Sequence, residues 1–192
     1  DLVSLSLVEA TNVAIDAGRD VLDARTSTQT NIRATNLRMT AGGEIGGANT
    51  ALPAGTNLNA IDTEVSTLAA QAVNGVAIHE NAAGGNLTVD AVADISVVVN
   101  VAQANFNSST TAVAATSTLA GLADVTVTGN GHVLIVADDG TVTLNDGTGV
   151  ANGSDGNSIS LSGGGNVLIH AGGSKNDVVL NADLSASGGH VT

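Results

Sequence analysis

The residues best suited to chemistry in this chain are the carboxylates of its glycine-rich turns. Gly172-Gly-Ser-Lys-Asn-Asp-Val-Val-Leu180 matches the calcium-binding nonapeptide Gly-Gly-x-Gly-x-Asp-x-aliphatic-x except at its fourth position, where Lys175 stands. In such motifs Asp side chains and turn carbonyls of adjacent copies share each ion, so a lone copy builds no site, and Lys175 would bring a cation next to it. With Asp177, the turn residues Asp139, Asp146 and Asp155 complete the set of candidate calcium ligands. Solvated Asn/Asp/Gly turns are the simpler account of all four. Calcium is expected to be at most an accessory ligand, and no other cofactor is implied.

Four histidines, His79, His132, His170 and His190, lie far apart with no helical His-x-x-x-His pair. His170 and His190, 20 residues apart, could become neighbours in a stacked chain and offer imidazoles to a transition metal. Outward-facing strand positions explain all four more simply. Enzymatic function is not expected. Hydrolysis or elimination on a polysaccharide needs paired carboxylates, or a base opposite a neutralising cation, in a groove. Here the acids are scattered over turns, Arg19, Arg25, Arg33 and Arg38 crowd the first quarter, and no Trp or Tyr offers a sugar platform. No Gly-x-Ser-x-Gly elbow joins a plausible His and acid, and no Lys-Ser/Thr follows the glycine pairs as a phosphate loop requires. No catalytic or cofactor-binding residue is therefore assigned.

The elements that would carry these residues are announced by a recurring phrase. It reads Asn12-Val-Ala-Ile-Asp-Ala-Gly18, Asn36-Leu-Arg-Met-Thr-Ala-Gly-Gly43, Asn86-Leu-Thr-Val-Asp-Ala91 and Asn166-Val-Leu-Ile-His-Ala-Gly-Gly173, with His132 in the Asn slot of Gly131-His-Val-Leu-Ile-Val-Ala137. An aliphatic strand of period two followed by a turn, repeated, is the signature of a solenoid whose units bury their apolar faces against each other. The expected fold is all-β: a right-handed parallel β-helix with imperfect coils of about 20–24 residues, about eight rungs deep and roughly 40 Å long. Val13, Ile15, Leu87, Val89, Val133, Ile135, Val167 and Ile169 are expected to point inward. Residues 1–192 form a single domain in this reading. Two stretches fit less well. Leu58, Ile61, Val65, Leu68 and Ala72 also sit at helical spacing, so Thr56–Val73 allows an amphipathic helix, against two strands and a corner. Asn105–Thr118, rich in Ser, Thr and Ala, is expected to be a long loop leaving the coil.

Composition agrees with a narrow, uniform interior. Hydrophobic residues make up 43% of the 192, yet Phe106 is the sole aromatic, so Val, Leu, Ile and Ala must fill the core. Turns fall on 24 glycines and one proline, Pro53. There is no cysteine, hence no disulfide framework or thiolate metal site. A net charge of −13 with five basic residues disfavours nucleic acid and suits a soluble, self-repelling rod. No run of about 18 apolar residues suggests membrane insertion, and no secretory leader is present. Both ends fall inside strand-like sequence, as expected of a segment of a longer repetitive protein.

Glu44-Ile-Gly-Gly47, Leu58-Asn-Ala-Ile-Asp62, Val65-Ser-Thr-Leu-Ala69, Asn74-Gly-Val-Ala-Ile-His-Glu80 and Leu87-Thr-Val89 resemble repeats of filamentous-haemagglutinin-like giant bacterial surface adhesins. The resemblance is closest over 36–98 and extends loosely through Gly189. It implies a right-handed β-helical stalk, export, and an extracellular or cell-surface location. The expected role is a structural stalk or fibre module. Its partners would be neighbouring repeats or copies of itself, end to end. One alternative is an adhesive module that binds a host or matrix ligand through loops near 105–118. A second is a β-helical polysaccharide-active enzyme.

Overall fold

The computed structural model describes residues 2–25, 29–47, 59–107 and 109–192. Among these residues it contains eighteen strands and no helix. Sixteen strands join one sheet in which paired strands run parallel, and the other two form a separate antiparallel pair. No helix is long and apolar enough to cross a membrane.

The parallel strands stack in columns of like residues. In one column Val3 lies against Val21, then Ile45, Val76, Val133, Val167 and Val191 follow in register. A second runs Ile15, Met39, Ala70, Val125, Ile159 and Leu184, with Ala17, Ala41, Ala72, Val127, Leu161 and Ala186 two residues on. A third carries Leu87, Val142 and Val178 beside Val89, Leu144 and Leu180. Within the strands Leu87–Val89, Val125–Val127, His132–Ala137 and Val142–Leu144, the aliphatic residues alternate between a fully buried face and an outer face. Most of the buried aliphatic residues form one contiguous core extending from Leu5 to Val167, with two small clusters outside it. Small and β-branched side chains suit it because each meets its own kind one strand spacing away, about 4.8 Å.

The repeating phrase has a structural cause. Gly131, Gly165 and Gly189 stack directly, and a Cβ on any of them would penetrate the carbonyl oxygen one layer back: Asn74, Gly131 and Gly165 respectively. Gly140 stands in the same relation to Gly85. The next residue then hands a hydrogen bond along the stack. Asn86 Oδ1 accepts from Thr141 N (2.9 Å), His132 Nδ1 from Asn166 N (2.9 Å), and Asn166 Oδ1 from His190 N (2.9 Å). Asn36 and Asn12 pair through their side chains at 2.7 Å, as do Asn181 and Asn145 at 2.9 Å. His132 substitutes for Asn because both offer an acceptor at the same reach.

Several expectations change. The stacking interval is 24 residues between Asn12 and Asn36, but 31 between Arg33 and Glu64, 34 between His132 and Asn166 and 55 between Asn86 and Thr141. Imperfect coils of about 20–24 residues therefore describe only part of the stack, since loops and a whole hairpin are inserted between strands that still stack. The possible helix is a twelve-residue strand, Ile61–Ala72; Thr56–Leu58 lie outside the described residues. Its inward positions, Ile61, Thr63 and Val65 and then Leu68, Ala70 and Ala72, change phase once at Ser66–Thr67. That slip is what imitates helical spacing. The expected loop at 105–118 does leave the stack, but as an antiparallel hairpin, Ile95–Ala104 with Thr110–Leu119 in full register. Of the expected inward residues, Ile169 is only partly buried, because among the described residues the layer beyond Val167–Ala171 consists of a single bridge, Val191 on Val167, with Thr192 beside it.

Candidate functional site

Three places gather polar chemistry. The first is built from turns that flank stacked strands. Asp124 closes the turn before Val125–Val127 with φ +64°, Asp146 follows Val142–Leu144, and Asp155 precedes Asn157–Leu161. The stacking of Val125 on Ile159 draws these turns together. One carboxylate oxygen from each of Asp124, Asp146 and Asp155 lies within 4.8 Å of the others. Backbone amides fix the carboxylates: Gly147 N donates to Asp124 Oδ1 (2.9 Å), Gly156 N to Asp146 Oδ2 (3.1 Å) and Asn157 N to Asp155 Oδ1 (2.8 Å). Asp124 Oδ2 and Asp146 Oδ1 are shielded from solvent and accept no hydrogen bond. Burial pushes the Asp124 carboxyl up to about 7, against the Gly147 amide, with the charges of Asp146, Asp155 and Asp90 adding to the rise.

No protein-family model, curated protein or solved structure matches the chain. Its sites are accordingly read from their own geometry.

The second place is a buried ion cluster on the outer side of Gly75–Glu80. His79 Nδ1 meets Asp62 Oδ1 at 2.6 Å and its Nε2 meets Asp138 Oδ1 at 2.9 Å. Both ring nitrogens face carboxylate oxygens, so the imidazolium is the form that satisfies both. The Asp62 hydrogen bond raises His79 to about 9 despite burial, and Asp138 adds to the effect. Next along the strand, Glu80 is fully buried and pushed up to about 7 by desolvation. Its Oε2 accepts from Thr63 Oγ1 and Val65 N, both at 2.9 Å, and its Oε1 from Ala82 N at 3.2 Å. A surface cavity of ≈ 550 Å³ lies beside it, with Arg33 and Glu64 on the wall. Arg33 grips Glu64 through two bonds of 2.6 and 2.8 Å and, with Thr30, holds that carboxyl down at about 2. Two carboxyls with opposed shifts are the pattern of an acid–base pair. Glu80 belongs to the cavity wall, but its side chain is fully buried and both its oxygens are already engaged by Thr63, Val65 and Ala82, so in this arrangement it fastens strands together.

The third is the hairpin. Val97, Val98, Val99 and Val101 are each more than half exposed, and Phe106 at its tip is fully exposed, whereas Ile95 at the base packs on Ala69, Val92 and Leu122.

Of the sequence candidates, Asp146 and Asp155 come together, and Asp124 joins them. In sequence Asp124 is an isolated acid before a strand; only the stacking of Val125 on Ile159 sets it beside Asp155. Asp139 and Asp177 join no such cluster among the described residues. Asn176, inside the nonapeptide-like phrase, donates to Asp139 Oδ1 (3.0 Å) and the Gly172 carbonyl (2.6 Å), and Asp177 N donates to Thr141 Oγ1 (3.2 Å), so that phrase is tied to the turn at 139–141. His170 and His190 do not pair: Val191 stacks on Val167, leaving His190 against Asn166 and His170 against Val136.

Proposed function

We propose that the chain is a structural module: a β-helical segment of a filamentous-haemagglutinin-like stalk or fibre at the bacterial cell surface, whose work is length and stiffness. The observation that carries this reading is the unbroken run of in-register aliphatic columns, Val3 through Val191 and Ile15 through Leu184. Such columns have no natural limit, since each layer presents to the next the surface it received from the last. The strand Val178–Leu180 pairs on one side only and leaves Val178, Val179 and Leu180 exposed, as an end layer waiting for another would. Neighbouring coils, or a second copy end to end, are the partners that fit, with the acidic flanks opposing lateral association.

Small-angle scattering and electron microscopy on the purified chain test this. The expected result is an elongated particle that lengthens along its axis as concentration rises. A compact particle that stays monomeric at every concentration would refute it. A second reading, an adhesive module, is favoured by the hairpin alone: a ribbon with exposed valines and an exposed Phe106 is an unusual surface to leave bare. Removing 96–118 should abolish binding to host or matrix material and leave elongation intact if that reading holds.

A further inference from the structure

We propose that Asp124, Asp146 and Asp155 form a calcium site that ties the turn at 145–157 to the strand ladder. Two independent observations converge on it. The first is the geometry: three carboxylates from separate turns bring oxygens within 4.8 Å of one another. The second is an unmet bonding capacity inside the cluster. Asp124 is only 3% exposed, and its Oδ2, like Asp146 Oδ1, has neither solvent nor a hydrogen-bond donor. Buried carboxylate oxygens are normally paired or bound to metal.

No protein cation supplies the charge. The ion pairs among the described residues involve Arg19, Arg33 and His79, all with other acids. The donor set is oxygen only, without imidazole or thiolate, which selects a hard cation over zinc or copper. Calcium fits a set of three carboxylates from separate turns better than magnesium. Calcium accepts several carboxylates at irregular angles, whereas magnesium demands near-octahedral geometry and keeps most of its waters. Asp155 is exposed and gives the ion a way in from solvent. Because Asp124 and Asp155 precede strands that stack on one another, Val125 on Ile159, a shared ion would cross-link two layers much as the asparagine ladder does, but with charge.

The test is calorimetric titration of the full chain, stripped with EDTA and dialysed, with calcium chloride and, separately, magnesium chloride. One saturable calcium site is expected, with a dissociation constant between roughly 1 μM and 1 mM, magnesium at least about tenfold weaker, and a higher melting temperature in calcium than in EDTA. Asp124→Asn should weaken calcium at least about tenfold. Since that residue is buried, Asp155→Asn is the second variant: it should weaken calcium comparably while melting like the parent in EDTA. Asp177→Asn should bind as the parent does. Absence of a saturable calcium signal, binding unchanged in both Asp124→Asn and Asp155→Asn, or equal affinity for magnesium would each overturn the proposal. None of these readouts depends on whether the chain assembles into a fibre.

Discussion

Gly163-Gly-Gly165 offers a sharp test of how the layers touch, because neighbouring glycines should respond to alanine with opposite signs. A Cβ on Gly165 would fall inside the Gly131 carbonyl oxygen, 2.8 Å from the Gly131 carbonyl carbon and 3.0 Å from Leu161 Cδ2, against ordinary C···O contacts of about 3.3 Å or more. Neither backbone can yield without stretching Val133 N to Asn166 O and Asn166 N to His132 Nδ1, both 2.9 Å. Overpacking of this kind costs about 1–3 kcal/mol, and each weakened hydrogen bond about 1 kcal/mol. The stiffer unfolded chain returns about 0.4–1 kcal/mol. Gly165→Ala should thus destabilise by about 2–5 kcal/mol. Gly164 has no atom within 4 Å of its Cβ position and a backbone that an L-residue can adopt, so Gly164→Ala should stabilise by about 0.5 kcal/mol. Urea unfolding followed by circular dichroism, with m-values compared to confirm a common transition, measures both. If Gly165→Ala unfolds within about 0.5 kcal/mol of the parent, or if Gly164→Ala proves the worse of the two, the close-approach account of the repeat is wrong.

Two further outcomes are expected. Ile135 is fully buried between Ile78 and Ile169, so Ile135→Ala should cost about 3–4 kcal/mol, whereas Ile169→Ala, at a partly buried position, should cost no more than about half as much; equal costs in urea unfolding would contradict the stacking order. Stability should also peak near pH 4, since Asp124, about 7 against an ordinary 3.8, contributes fully below 3.8 and loses that contribution as pH climbs to 7. Glu80 has a folded value of about 7 against an ordinary 4.5, so its contribution is full below 4.5 and lost as pH climbs to 7; His79, about 9 against 6.5, loses its contribution between 6.5 and 9. Glu64, held at about 2, works in the other direction, its contribution being present above 4.5 and lost as pH falls toward 2. Melting temperatures across pH 3–10 check the shape, and His79→Gln should flatten the fall above pH 7; a melting temperature that rises from pH 6.5 to 9 in the parent would exclude the clamped imidazolium.

Much was already settled by the order of residues. Alternating Val, Ile and Leu between Gly/Asn turns, with one Phe in 192 residues, can bury its apolar faces only by repetition, and parallel columns of like aliphatics follow from that need. The Asn slot was legible as a repeat, though not as a ladder of side-chain acceptors, because an acceptor acquires meaning only when a donor amide sits one layer away. What the tertiary structure alone decided is which residues are one layer apart. Intervals of 24, 31, 34 and 55 residues cannot be inferred from local propensity, since inserted loops and the Ile95–Leu119 hairpin alter the count without disturbing the stack. The same register excluded Asp177, brought Asp124 to Asp146 and Asp155, set His190 on Asn166 instead of His170, and made Gly165 indispensable beside an unconstrained Gly164. Strand pattern is written in short-range alternation, which a single chain segment displays. Layer-to-layer contact is a long-range fact, fixed by which backbone amides and carbonyls find each other when the columns close.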